Sequence, residues 1–119
     1  MVVAVDFDKT ISVAEYPGID IDKKAVDILR RAQTNGHAIV LWTCRHGKKL
    51  DAAIKACKDH NLYFDAVNEN EPIQALRWRN LTGEKETARK IFADIYIDDR
   101  AVPPGEKIPW EKYDAFLNK

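Results

Sequence analysis

Apolar and polar positions come in blocks along this chain. Val2-Val3-Ala4-Val5 is a continuous apolar run, β-branched at three of its four positions, and predicts a strand buried on both faces. Pro17-Gly18 marks a turn. Asp20 or Asp22 then stands where a helix cap is needed, and Ala25, Ile28, Leu29 and Ala32 follow at i, i+3, i+4 and i+7, a helical stripe. Gly36 sits where a left-handed C-terminal cap is expected. Residues 38–42 predict a second buried strand. Leu50, Ala53, Ile54 and Cys57 repeat the helical spacing, and Asn61 is placed to close that helix. Residues 63–67 read as a short third strand. Residues 68–84, with Pro72 and Gly83, show no period. Residues 91–97 predict a further strand with Asp94 as a polar interruption. Pro103-Pro104-Gly105 is a turn, and residues 110–117 predict a short terminal helix.

Strands that alternate with helices imply a parallel sheet with helices on its faces and right-handed crossovers. The ligand site of such a sheet lies beyond the carboxyl ends of its strands. That is where the polar residues of this chain collect. Asp6 ends the first strand in "AVDFDKTIS", Thr43 ends the second in "IVLWTCRHG", and Asp98 and Asp99 end a later one in "ADIYIDDR". Extended residues alternate sides, so Asp6 and Asp8 are expected in one cleft with Phe7 turned away. Gathering four acids is unfavourable: two carboxylates at 4 Å repel by about 4 kcal/mol at an effective dielectric of 20. A divalent cation bound by oxygen ligands, a shared proton, or nearby lysines such as Lys9, Lys85 and Lys90 would offset that repulsion. Taken singly, each acid also serves as a turn residue or a helix cap.

Composition narrows the classes. The 119 residues suit one domain with a real core. Lys plus Arg equals Asp plus Glu at 19 each, so no global field favours general nucleic-acid binding or an anionic membrane. Apolar stretches are too short to span a bilayer and no segment reads as a secretory signal, which makes the cytoplasm the default location. Two cysteines, Cys44 and Cys57, make neither a disulfide framework nor a zinc pattern. Cys44 also fails as a phosphatase nucleophile of the Cys-x₅-Arg type, because Leu50 stands where the arginine is required.

The order of these motifs resembles the haloacid dehalogenase superfamily of aspartate-dependent phosphotransferases over nearly the whole chain. "DFDKT" resembles its first motif, Thr43 its second, Lys90 its third (with Lys85 as a rival), and Asp98-Asp99 its fourth. The resemblance implies a single capless, three-layer Rossmann-like domain over residues 1–119, and an Mg²⁺-dependent phosphomonoester hydrolase. Asp6 would form an aspartyl-phosphate and Asp8 would act as general acid and base. Thr43 and Lys90 would hold phosphoryl oxygens. Mg²⁺ would be bound by the Asp6 carboxylate, the Asp8 main-chain carbonyl and Asp98, with Asp99 bound through water or orienting Lys90. Arg45 and His46 directly follow Thr43 and are candidate substrate contacts at the rim; a helix-start role is the alternative. Lys9 stands where the superfamily commonly has Gly, and its side chain leans over the cleft mouth or into solvent. A "DKT" register would instead make Asp8 the nucleophile, but the apolar run ends at Val5 and puts Asp6 first.

The substrate is a phosphorylated molecule of unknown type. An open cleft suits a large one, or a small one closed in by a second subunit of a homo-oligomer. "RWR" at Arg77 to Arg79 reads as a phosphate or base contact, or as a solvated basic loop with Trp78 folded back onto the core. Asn68 and Asn70 fall on the active edge but also suit turns. Two alternatives of other classes are a receiver-like phosphoacceptor module, whose motif order differs, and a phosphate-binding protein without turnover.

Overall fold

The computed structural model describes residues 1–84 and 89–119. Strands β1 (Val2–Val5), β2 (Ala38–Leu41), β3 (Ala66–Val67) and β4 (Ile95–Ile97) form one sheet in the order β3-β2-β1-β4. Every pairing is parallel, with Val5 opposite both Leu41 and Ile97. Helices α1 (Lys23–Thr34), α2 (Gly47–Lys58), α3 (Pro72–Thr82) and α4 (Trp110–Leu117) connect and follow the strands. The result is the α/β, Rossmann-like fold that the alternation of elements predicts.

Alternate residues of each strand enter different cores, as a strand buried on both faces requires. Val3, Val5, Ile39, Leu41 and Ile97 face α1, α2 and α4, where Ile28, Leu29, Cys57, Trp110 and Leu117 close over them. Val2, Ala4, Val40 and Ala66 face a smaller cluster with Ile91, Trp42 and Tyr96. Burial pushes the Cys57 thiol up to about 12, so this cysteine is an inert core residue. Asp22 is the cap of α1; its Oδ1 accepts from Lys24 N at 3.0 Å and Ala25 N at 3.3 Å.

Three expectations need correction. Residues 68–84 are not irregular: Glu71 caps α3, Pro72 stands in its first turn, and Gly83 ends it in the left-handed region. Both supposed breakers are terminus signals. Arg77 and Arg79 therefore lie on a helix, and Trp78 is 44 % exposed rather than folded onto the core. Strands β3 and β4 also begin later than their apolar runs. An aspartate precedes each and replaces a ladder bond. Asp65 Oδ2 accepts from Ile39 N, and Asp94 Oδ2 from Val2 N, each at 2.7 Å. Each of these aspartates donates its own N–H back to the same residue at 2.8 Å. Asp94→Ala leaves the Val2 N–H without its acceptor and is expected to cost about 1–3 kcal/mol in urea unfolding. An unchanged midpoint would mean that this clasp contributes nothing.

Candidate functional site

β1 lies where the strand order reverses. The chain steps from it to β2 and β3 on one side and returns at the end to β4 on the other. A crevice opens at such a point beyond the carboxyl ends. The ladder extends one residue past β1, because Asp6 N donates to Ile97 O at 2.9 Å. Asp6 and Asp98 then follow paired residues of adjacent strands. Carboxylate oxygens of Asp6, Asp98 and Asp99 all lie within 4.8 Å of one another, and all three residues are half-buried. Thr10, which is buried, ties the loops together: its Oγ1 accepts from Asp99 N at 3.2 Å. Asp98 Oδ1 accepts from Arg100 N at 2.8 Å and starts a 3₁₀ turn over Asp99–Ala101.

Burial pushes the Asp6 carboxyl up to about 7; the Phe7 N–H opposes the shift and the charge of Asp98 and a hydrogen bond from Asp99 add to it. Burial, reinforced by Asp99, raises Asp98 as well. The donor set is all oxygen, which suits a hard divalent ion. Adjacent ligands of an octahedral Mg²⁺ stand ~3 Å apart, so the three carboxylates would have to draw together to hold such an ion.

Asp8 is not with them. The extended alternation assumed for the sequence stops at Phe7, whose carbonyl accepts from Thr10, Ile11 and Ser12 N–H groups at 3.2, 3.0 and 2.9 Å. That turn carries the Asp8 side chain to Arg45. Arg45 Nε donates to Asp8 Oδ2 at 2.9 Å and Nη2 to Oδ1 at 2.7 Å, a two-pronged pair. The site thus gathers three acidic side chains rather than four, and the Asp8 carboxylate is turned to Arg45 instead.

Arg45 is likewise misplaced by the sequence reading. It is 3 % exposed and is not a rim contact for substrate. Its guanidinium also donates to the carbonyls of Lys49, Pro17 and Gly18, each at 3.2 Å. Cζ lies 4.8 Å from the Phe7 ring centroid and 5.1 Å from that of Tyr16. Hydrogen bonding to Asp8 raises the Arg45 pKa above its ordinary value, against the opposing effect of burial.

Thr43 follows β2 and is half-buried. Its N–H donates to Asn68 Oδ1 at 2.8 Å and its Oγ1 accepts from Arg45 N at 3.1 Å. The hydroxyl proton has no acceptor among the described residues and is free to donate to a ligand. Asn68 does this from the left-handed region, at φ 54°. Asn70 Oδ1 accepts from Phe92 N at 2.7 Å. Both asparagines therefore have structural partners.

Lys9 adopts φ 58°, a conformation that favours glycine, which gives a physical reason for Gly at this position in the superfamily the motifs resemble. Its Nζ pairs with Glu15 at 3.3 Å, and the side chain is exposed. His46 is exposed and precedes α2 without making a side-chain cap bond. Lys90 is exposed; its Nζ lies 5.3 Å from the Tyr96 ring centroid, and no ion pair joins it to the three acids among the described residues. Lys85 lies outside the described residues.

Neither a protein-family model nor a curated protein matches the chain. A solved structure of a conserved protein from Bacteroides thetaiotaomicron is 36 % identical to it, with a TM-score of 0.76 over 98 % of this chain and 88 % of that one. At that identity and coverage, the chain belongs to the family of this conserved Bacteroides thetaiotaomicron protein.

Proposed function

We propose that this chain is a phosphomonoester hydrolase of the haloacid dehalogenase superfamily and uses Mg²⁺. One observation carries the reading. Asp6, at the end of the central strand, converges with Asp98 and Asp99 at the switch in strand order. Mg²⁺ held by these three residues would supply the positive charge that lets a carboxylate and a phosphate dianion approach each other. An Asp6 oxygen attacks phosphorus and forms an aspartyl-phosphate as the ester P–O bond breaks. The Thr43 hydroxyl donates to a phosphoryl oxygen. Water then attacks phosphorus, the bond to Asp6 breaks, and phosphate leaves.

Asp8 manages the protons. Each of its oxygens accepts one hydrogen bond from Arg45 and keeps a second lone pair. Asp8 can therefore take a proton from the attacking water while still seated on the guanidinium, and deliver that proton to the leaving oxygen of the next substrate. Arg45 positions it. Lys90 sits over Tyr96, which is opposite Ala4 and two residues before Asp98. To meet a phosphoryl oxygen it must swing off that ring. A cytoplasmic setting, which keeps Cys44 and Cys57 reduced, suits this chemistry. The test is turnover of an aryl phosphate with Mg²⁺, expected to vanish with a chelator. Turnover undiminished by a chelator overturns the metal-dependent reading.

Stability gives a second check that needs no substrate. Between the ordinary Asp value of 3.8 and about 7, folded Asp6 holds a proton that the unfolded chain has released. Stability of the metal-free protein therefore falls as pH rises through that window and levels off above it. After screening of the half-exposed group, the loss is about 1–3 kcal/mol. Mg²⁺ at about 100 times its dissociation constant restores about 2.7 kcal/mol. Thermal melts at pH 8 with and without Mg²⁺ read this directly. An Mg²⁺ shift of equal size in Asp6→Asn would place the ion elsewhere.

A further inference from the structure

A groove of ≈ 960 Å³ opens beside the three acids and shares Thr10 and Asp99 with them. Part of its wall is apolar, made by Val102, Ile108 and the buried indole of Trp110, and the rest is polar. This volume is at the upper end of what one small molecule fills, and far exceeds what a phosphoryl group needs. Four cations line it, and two are already committed. Lys9 pairs with Glu15, and Lys24 pairs with Glu111 across the groove. Arg100 and Lys107 are exposed and have no ion pair among the described residues. The lining acids equal the cations in number: Asp22 caps α1, Asp99 is one of the three clustered acids, Glu111 is paired with Lys24, and Glu106 has no ion pair among the described residues. An unpaired arginine and lysine over an apolar wall suit an anion carried on an organic body.

We propose that this groove receives the organic body of a small-molecule phosphomonoester, and that Arg100 and Lys107 hold a second anionic group of the same molecule. The assignment rests on the hydrolase reading, because it places the scissile phosphate at Asp6. It selects a small doubly anionic substrate over a macromolecular one. The second anion is a phosphate or a carboxylate, and the probes separate the two.

The test uses a short alkanediol as its monophosphate, as its bisphosphate, and with a carboxylate replacing the second phosphate, each with Mg²⁺. The expected kcat/KM is about tenfold higher for at least one probe with a second anionic group than for the monophosphate. Arg100→Gln with Lys107→Gln is expected to bring that ratio close to one. A wild-type ratio near one, or a ratio that survives the double substitution, overturns the proposal. If neither these probes nor an aryl phosphate turns over, the hydrolase reading fails, and the groove is judged by calorimetric titration of the same probes into Asp6→Asn with Mg²⁺. Tenfold tighter binding of a probe with a second anionic group, lost on the double substitution, upholds the groove; equal binding of all three overturns it.

Discussion

Arg45→Ala is expected to lower the stability of the protein by about 3–5 kcal/mol, the cost of removing one member of a buried charge pair. The side chain donates to both oxygens of Asp8 and to three backbone carbonyls, and it lies between the rings of Phe7 and Tyr16. Removing it leaves the Asp8 carboxylate and the Pro17 and Gly18 carbonyls without this donor and opens a cavity. Natural domains have only about 5–15 kcal/mol in total, so the loss is a large fraction of the whole. Urea unfolding measures it. If the alanine variant does not fold, Arg45→Lys still reports, because an ammonium keeps the charge but not the two-pronged geometry. Its midpoint is expected between the others. The pair also predicts coupling: once Arg45 is gone, Asp8→Ala should add little. Fully additive losses would show that the two residues do not act as a unit.

Asp6→Asn is expected to reduce aryl phosphate hydrolysis roughly ten-thousand-fold or more, the scale seen when a nucleophile is removed. The same change should leave the metal-free protein at least as stable as wild type at pH 8, because it removes a half-buried charge that burial and Asp98 oppose. Lost turnover with retained stability separates chemistry from folding. Asp8→Asn should fail at a different step. An aryl leaving group needs no proton, so Asp6 is still phosphorylated, but water is no longer deprotonated. Acid-quenched samples of that variant should carry the mass of one phosphoryl group. Full turnover in Asp6→Asn would remove Asp6 as nucleophile.

The part of the site legible in the sequence is the part that the sheet itself builds. Parallel strands end on one edge, so Asp6, Thr43, Asp98 and Asp99 were bound to share it once three strands were recognised. Residues placed by loops were not legible. Asp8 pairs with a residue 37 positions away, through a turn closed by three N–H groups on one carbonyl. No periodicity records such a contact. A cation two residues beyond the threonine that ends a strand was the available signal, and it looked like a surface residue. Thr10 was visible only as the last letter of a motif. α3 is not legible in the sequence for another reason. None of its residues is buried, so selection for an apolar stripe had nothing to act on, and Ile73, Leu76 and Leu81 stand exposed.

The hydrogen bond from Phe92 N to Asn70 Oδ1 brings the two ends of the α3 excursion side by side. Neither core draws a residue from α3. Chain length between these two anchors is thus weakly constrained by the sheet: doubling a loop there adds only about 0.6 kcal/mol of closure entropy. Relatives that differ in size should gain or lose residues at this point, and a foreign peptide grafted here should leave the acidic crevice in register.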